Sequence, residues 1–309
     1  MADNGTSFSF GFAVGQEGAA AAEAATQEAA SIAATQQCLP AVEERDAGGA
    51  STRGFEDVAI AHGLSLLKGS ITGAETAALL GDNRVEGNDL IPGLYEGGFK
   101  LWEGAIDLCR YLMKTFDMGS DLLTSPNAPQ KMRGKKVLEL GCGHGLPGIL
   151  CMLAGAVVHF QDYNCSVLTE LTMPNVHANV ARLAAGRPVS RARYFSGDWS
   201  TTGDLLATSG LGGYYDYVLT AEGIYSVDSH VRLIACIKQV LQPPMGVAFV
   251  AAKTYYFGVG GGTKAFTSAV LADGVFEVEA VEEIEETASG NKREIIELRF
   301  PDSIAPYFL

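Results

Sequence analysis

The chain is poor in positive charge. Its 309 residues carry 22 Lys and Arg against 36 Asp and Glu, a net charge of −14. Nucleic acid or an anionic membrane as the main partner needs clustered Lys and Arg against phosphate, so neither is expected. Metal chemistry is equally unsupported. The six cysteines (Cys38, Cys109, Cys142, Cys151, Cys165 and Cys236) form no Cys-x-x-Cys pair and no zinc spacing. Cys109, Cys151 and Cys236 fall in segments that read as core helices, where buried, reduced thiols are expected. The five histidines (His62, His144, His159, His177 and His230) include no His-x-x-x-His pair, so no metal is expected. There is no Gly-x-Ser-x-Gly elbow, which argues against an α/β hydrolase. The longest apolar stretch, Leu146 to Phe160, is too short to cross a bilayer and contains Pro147 and Gly155. The first residues lack the basic start and apolar run of a secretory signal. A soluble, intracellular protein is the expectation, with a monomer as the default.

What the chain does have is a glycine turn after an apolar strand. Val137-Leu138-Glu139-Leu140 runs into Gly141-Cys142-Gly143-His144-Gly145, with glycine at every second position. A turn without Cβ atoms lets backbone approach a ligand closely. The dinucleotide fingerprint would need glycine where Leu146 stands. The acid at Glu139 suits a ligand bringing positive charge, such as the ammonium of S-adenosylmethionine, better than a pyrophosphate. A tight strand-to-helix turn with no ligand is the plainer alternative.

Residues 1–85 read as an extension of low complexity, and 86–309 as one domain. Ala19 to Thr35 is an Ala/Glu/Gln tract with few large apolar side chains, too few to offset its ordering entropy. Phe8, Phe10 and Phe12 alternate with small residues, the period of a docked edge strand within residues 7–14. From Val85 onward helix and strand alternate. An amphipathic helix is expected over Leu101–Phe116, with strands at Lys136–Leu140, Val157–Gln161, Arg191–Phe195, Tyr217–Thr220 and Val247–Ala252. Between them the pattern suits helices near Leu146–Ala154, Val167–Leu183, His230–Leu241 and Lys264–Ala272, the second kinked or started by Pro174. Phe276–Ile284 and Arg293–Phe300, joined through Ser289-Gly290-Asn291, read as a closing antiparallel pair. Together these make a seven-stranded, Rossmann-like α/β sheet.

In such sheets the ligand lies beyond the carboxyl ends of the strands. Polar groups do cluster there. Strand two ends in Gln161-Asp162-Tyr163, and Asp162 is where a carboxylate can take both hydroxyls of a ribose. Gly197-Asp198-Trp199 follows strand three, offering an acceptor for an adenine amine and a ring to pack on its face. Ala221-Glu222-Gly223-Ile224-Tyr225 and Lys253-Thr254-Tyr255-Tyr256-Phe257 end strands four and five and should face the reacting group. An acid such as Asp162 or Glu222 can equally be a turn or cap residue, and the rings can simply pack on a helix. Gly258-Val259-Gly260-Gly261-Gly262 lacks the Gly-Lys-Ser/Thr ending of a phosphate loop. It reads as a flexible lid or a close-approach loop.

These residues resemble eukaryotic histidine protein methyltransferases. The likeness lies in Asp89 to Glu103 with its Tyr95-Glu96-Gly97-Gly98, in Leu138 to Gly148, His159 to Asn164 and Leu219 to Tyr225, and in Tyr256 to Gly262. The extreme N-terminus with its three Phe also looks similar; the poly-Ala tract has no counterpart. The resemblance implies a class I methyltransferase that transfers a methyl group from S-adenosylmethionine, leaving S-adenosylhomocysteine, to the tele nitrogen of a protein histidine. Its implied substrate is the basic large-subunit ribosomal protein three, met before or during ribosome assembly in cytoplasm or nucleus. The cofactor contacts it implies are Leu101, Trp102, Glu103, Gly104 and Ala105, then Gly141, Cys142 and Gly143, then Gln161, Asp162 and Tyr163, then Gly197, Asp198, Trp199 and Ala221. The chain departs from the family at Ala221, often serine in relatives, so any hydroxyl role there is lost.

Imidazole, with a pKa of about 6.5, is mostly neutral at cellular pH, whereas lysine at about 10.4 must first lose a proton. Histidine methylation therefore needs the right tautomer and placement more than a strong base. Glu222 is the expected acceptor for the pros N–H, with Tyr225 and Tyr256 flanking the ring. Two alternatives stay open: a lysine methyltransferase of the same fold, whose usual Asp-x-x-Tyr has Glu222-Gly223-Ile224-Tyr225 in its place here, and a non-catalytic binder of a nascent ribosomal protein.

Overall fold

The computed structural model describes residues 39–48, 54–285 and 292–307. The three alternating Phe, the Ala-rich tract and the turn at Ser289-Gly290-Asn291 lie outside them.

At its centre is β4 (Lys136–Leu140), whose Val137, Leu138 and Leu140 are fully buried. A strand apolar on both faces requires cover on both, and helices supply it. On one face Val137 joins Leu108 and Leu112 of α2 (Glu103–Thr115) and Ile149 and Leu150 of α3 (Leu146–Leu153). On the other, Leu138 and Leu140 join Leu206 of α5 (Trp199–Leu206), Leu233 and Ile237 of α6 (Val227–Val240) and Phe266 of α7 (Thr263–Asp273). Each such fully buried side chain contributes about 2 kcal/mol of apolar transfer.

Five strands are parallel in the order β6 (Arg193–Ser196), β5 (Val157–Asp162), β4, β7 (Tyr217–Ala221), β8 (Val247–Lys253). Then β10 (Lys292–Arg299) inserts antiparallel to β8, and β9 (Glu277–Glu285) closes that edge against β10. The order reverses at β4, so a crevice opens where the chain leaves β4 in one direction and β7 in the other. The helical run 165–180, α4, contains a π turn at Leu168–Thr172 just ahead of Pro174. Proline has no N–H to donate, and the wider turn accommodates that loss without ending the helix.

One boundary is corrected. Residues 39–85 belong to the domain. β1 (Val42–Glu44) adds antiparallel to β6 as an eighth strand, with Arg193 Nε and Nη2 donating to Glu43 at 2.7 and 2.8 Å. A hairpin of β2 (Phe55–Ala61) and β3 (Leu64–Gly69) sends Val58, Ile60, Leu64 and Leu66 into the core. Asn179 of α4 takes the Leu67 N–H and donates to its carbonyl, both at 2.8 Å, while Asn175 accepts from Gly69 N at 2.7 Å. Helix α1 (Gly73–Leu80) follows, begun by a Thr72–Glu75 capping box. The alternation in β2 and β3 is only four apolar residues deep, so composition over the whole segment masked it.

Candidate active site

The glycine turn leaves β4 through left-handed backbone: φ is +63° at Gly141, +49° at Gly143 and +71° at Gly145. A Cβ on Gly143 would sit 3.0 Å from the carbonyl oxygen of Gly98, so the segment ahead of α2 passes directly over the turn. The carboxyl end of β5 holds it from below. Asp162 accepts from Gly143 N at 2.9 Å, from Asn164 N at 3.2 Å and from the Tyr163 backbone N–H, three of the roughly four acceptor positions of a carboxylate. Burial pushes its pKa up to about 6, against the pull of those backbone N–H groups. Tyr163 donates its hydroxyl to Gly93 O at 3.0 Å, and Asn164 donates to Leu94 O at 2.8 Å, tying the 93–98 stretch to the strand end.

Three expected contacts turn out to be internal. Glu139 is 2 % exposed and accepts from Gly148 N at 2.8 Å, stapling the start of α3. Burial raises its pKa to about 8, toward the neutral form. Gln161 is fully buried and clamps three strand ends. Its Oε1 accepts from Gly141 N at 3.2 Å and from Trp199 Nε1 at 2.8 Å, and its Nε2 donates to Gly197 O at 2.7 Å. Asp198 caps α5 by accepting from Ser200 N at 2.8 Å and pairs with Arg232 at 3.1 Å. Gly197, at φ +118°, is glycine because β1 arrives there: a Cβ would lie 2.6 Å from Ala41 Cα. Cys142 is buried against Thr172, its thiol raised by desolvation, and only its backbone, donating to Gln161 O at 2.8 Å, borders the turn.

The half-buried Trp199 ring lies 3.4 Å from where a Gly141 Cβ would be. Trp102, the N-cap of α2, donates to Gly97 O at 3.1 Å, with Lys100 over its ring. Leu101 packs on the core, Glu103 is exposed at the first turn of α2, and Ala105 N donates to Trp102 O at 3.1 Å. Ala221, half-buried, ends β7.

The residues expected to face the reacting group come together. Glu222 leaves β7 at φ +59°, which turns its side chain back toward α2. Its Oε1 accepts from Gly104 N at 3.2 Å and its Oε2 from the Tyr256 hydroxyl. A Cβ on Gly104 would stand 2.7 Å from that Oε1, so a side chain at this point of α2 would push the Glu222 carboxylate aside. Desolvation raises the pKa of Glu222 and of Tyr256. Tyr225 stands edge-on to Tyr256, centroids 6.5 Å apart, and donates its hydroxyl to Glu96 Oε2. Glu96, within the Tyr95-Glu96-Gly97-Gly98 stretch, carries no site signal in the sequence; its burial raises its pKa. Its partner is 129 residues away, a separation no local pattern reports.

The glycine-rich loop is a close-approach loop, not a lid. Gly261 N donates to Tyr225 O at 3.0 Å, Gly262 N to Ile224 O at 2.9 Å and Tyr256 N to Gly261 O at 3.0 Å. Pinned this way, the loop keeps Tyr256 inward and presents Tyr255, 50 % exposed, and Phe257, 81 % exposed, outward. Among the described residues no cluster of His, Cys, Asp and Glu is arranged to hold a metal.

A parallel sheet reversing at β4, a glycine turn at the reversal, an acid at the next strand end and aromatic–carboxylate pairs opposite define a class I methyltransferase fold. The model of the family described as lysine methyltransferase matches residues 93–256, more than half of the chain, and the chain belongs to that family. It is 43 % identical over 210 residues to a histidine protein methyltransferase 1 homolog of Dictyostelium discoideum, covering 68 % of this chain and 60 % of that protein. It is 40 % identical over 232 residues to the Bos taurus protein of the same name, covering 69 % and 58 %. It is also 32 % identical over 154 residues to the EEF1A lysine methyltransferase 3 of Mus musculus, covering 50 % and 55 %. The chain thus spans about 60 % of the length of the histidine methyltransferase relatives.

The residues present fit S-adenosylmethionine, the cofactor of this fold. Asp162 keeps acceptor capacity beyond its three backbone donors for a ribose hydroxyl, Trp199 offers a half-buried face, and the side-chain-free turn at Gly141 and Gly143 lies between them.

Proposed function

We propose that the protein methylates the tele nitrogen of a histidine side chain in a protein. The observation that carries the reading is the pairing at the ends of β7 and β8, where two phenols each donate to a buried carboxylate. Each carboxylate is already engaged by a phenol, and burial raises the pKa of both. A lysine, with a pKa of about 10.4, must first lose a proton, whereas an imidazole is already mostly neutral. The cofactor, when bound, supplies an electrophilic methyl group on a sulfonium. Glu222 and Tyr256 then hold one side of the target ring, the Tyr225 ring the other, and the ring proton leaves through the phenol–carboxylate pairs. Holding a reactant in line can supply up to about 7–11 kcal/mol of the barrier. The 43 % identity to a histidine methyltransferase homolog supports the same reading.

For the substrate we infer a basic protein, large-subunit ribosomal protein three, met free before or during assembly in cytoplasm or nucleus by a monomeric enzyme. A net charge of −14 favours encounter with a basic protein through steering that weakens with salt. The outward Tyr255 and Phe257, beside the inward Tyr256, suit a macromolecule lying across the rim. A second reading, lysine methylation, is supported by the description of the matching family and by the mouse relative. The experiment is incubation of the purified protein with labelled S-adenosylmethionine and a cell extract lacking the activity, then amino-acid analysis of the labelled band. Label in tele-methylhistidine on a basic ribosomal protein is the expected result. Methyllysine would overturn the histidine reading, and cofactor binding without any transfer would favour a non-catalytic binder.

A further inference from the structure

The two tyrosines of the target half are not equivalent. The Tyr256 oxygen donates to Glu222 and also accepts from Lys253 N at 3.3 Å. The Tyr225 oxygen donates to Glu96, and no hydrogen bond to it as acceptor is made among the described residues. A phenol has one proton and two lone pairs, so Tyr225 presents acceptor capacity and nothing else. Glu96 enforces that. Its Oε1 accepts from Gly93 N at 2.7 Å, and its own N–H points to Asn164 Oδ1 at 3.4 Å. The 93–96 turn is fastened to the tip of β5 by Tyr163 and Asn164, so the carboxylate is fixed from both sides.

We propose that Glu96 is a positioning residue: by taking the Tyr225 proton it makes the Tyr225 oxygen an obligate acceptor, which selects the orientation of the target ring. This rests on the histidine reading above. A neutral imidazole carries one N–H and one bare nitrogen. If Tyr225 can only accept, the ring must turn its N–H to that oxygen, and the nitrogen left bare is the one that reacts. A Tyr225 free to rotate its hydroxyl would donate to the bare nitrogen instead and block it. Glu96 thereby determines which ring nitrogen is methylated without itself touching the ring.

The test is a double-mutant cycle with Glu96→Gln and Tyr225→Phe, read on the methylated protein band. Glutamine fills the same space but can donate as well as accept, so it releases the constraint on Tyr225. Glu96→Gln is expected to lower kcat about tenfold or more, with KM and the S-adenosylhomocysteine Kd by calorimetry each within about twofold. It should also admit pros-methylhistidine into the product. In the Tyr225→Phe background the same change should cost less than about twofold, because the group it acts through is gone. Equal losses in both backgrounds would overturn the inference and make Glu96 a fold residue only. So would a cofactor Kd that rises in step with the loss of kcat. Methyllysine as the wild-type product would instead sink the parent reading; methylhistidine with full Glu96→Gln turnover and unchanged position would sink this inference alone.

Discussion

The rim of the sheet has two halves that solve the same problem differently. At the ends of β4, β5 and β6, buried polar side chains are satisfied mainly by backbone: Glu139 by Gly148 N, Gln161 by Gly141 N and Gly197 O, Asp162 by Gly143 N and Asn164 N. Beyond β7 and β8 they are satisfied by one another, Tyr256 with Glu222 and Tyr225 with Glu96. Side-chain–side-chain bonds are only about 10–15 % of protein hydrogen bonds, so two such pairs at one cleft are notable. The first half is a rigid frame that shapes backbone around a ligand. The second is the half where the proposed mechanism places the target ring.

If that division is right, damage to the frame should abolish binding while damage to the pairs should abolish turnover. The largest effect is expected from Gly143→Val. Its backbone sits at φ +49°, and even a Cβ would press on Gly98 O at 3.0 Å. A β-branched residue there should weaken cofactor affinity by roughly a thousandfold, about 4 kcal/mol, as read by calorimetry. Retained affinity would show that the ligand does not use this turn. Next comes Glu222→Gln, which should cut kcat by roughly ten- to a thousandfold and leave cofactor affinity nearly intact. Turnover at the wild-type rate would remove Glu222 from the mechanism. Loss of cofactor binding in step with kcat would dissolve the contrast between the halves.

A smaller effect is expected on the outer rim. Phe257 is 81 % exposed and belongs to neither half. Phe257→Ala should raise KM for the protein substrate severalfold, about 1 kcal/mol, with kcat and cofactor affinity within about twofold. An unchanged KM would place the substrate elsewhere on the surface.

The same division explains what could be read from sequence. The frame is local: the order of strands, their ends and the glycine turn follow from apolar runs and spacing, and β4 falls at Lys136–Leu140 as expected. What spacing could not tell was which polar atoms are already occupied. Glu139 and Gln161 stand at strand ends in sequence, yet both are buried, and apart from the Trp199 indole their partners are backbone groups that carry no sequence signal. Asp198, expected as an acceptor for an adenine amine, also caps α5. The pairs are non-local. Glu222 and Tyr256 were legible as chain-end neighbours on adjacent parallel strands, but Glu96 reaches Tyr225 across 129 residues. β1 was missed for a similar reason: three residues make a strand only because β6 offers an open edge.

Glu139 should have the least effect on turnover and the clearest effect on stability. Its folded pKa, raised by burial to about 8, lies above the 4.5 of an ordinary glutamate. Between those values the folded protein keeps a proton that the unfolded chain has released. The carboxyl therefore contributes its full stabilisation below about pH 4.5 and loses it progressively as pH rises toward 8. Glu139→Gln keeps an acceptor for Gly148 N but cannot ionise, so this loss disappears. The variant should gain on the wild type by up to about 1.4 kcal/mol per pH unit across the window, seen as diverging Tm curves, with kcat unchanged at pH 7. Parallel curves would mean that Glu139 is ionised in the native state. A buried anion beside the glycine turn would then need a cationic partner, and the ammonium of the cofactor would again be the group that supplies it.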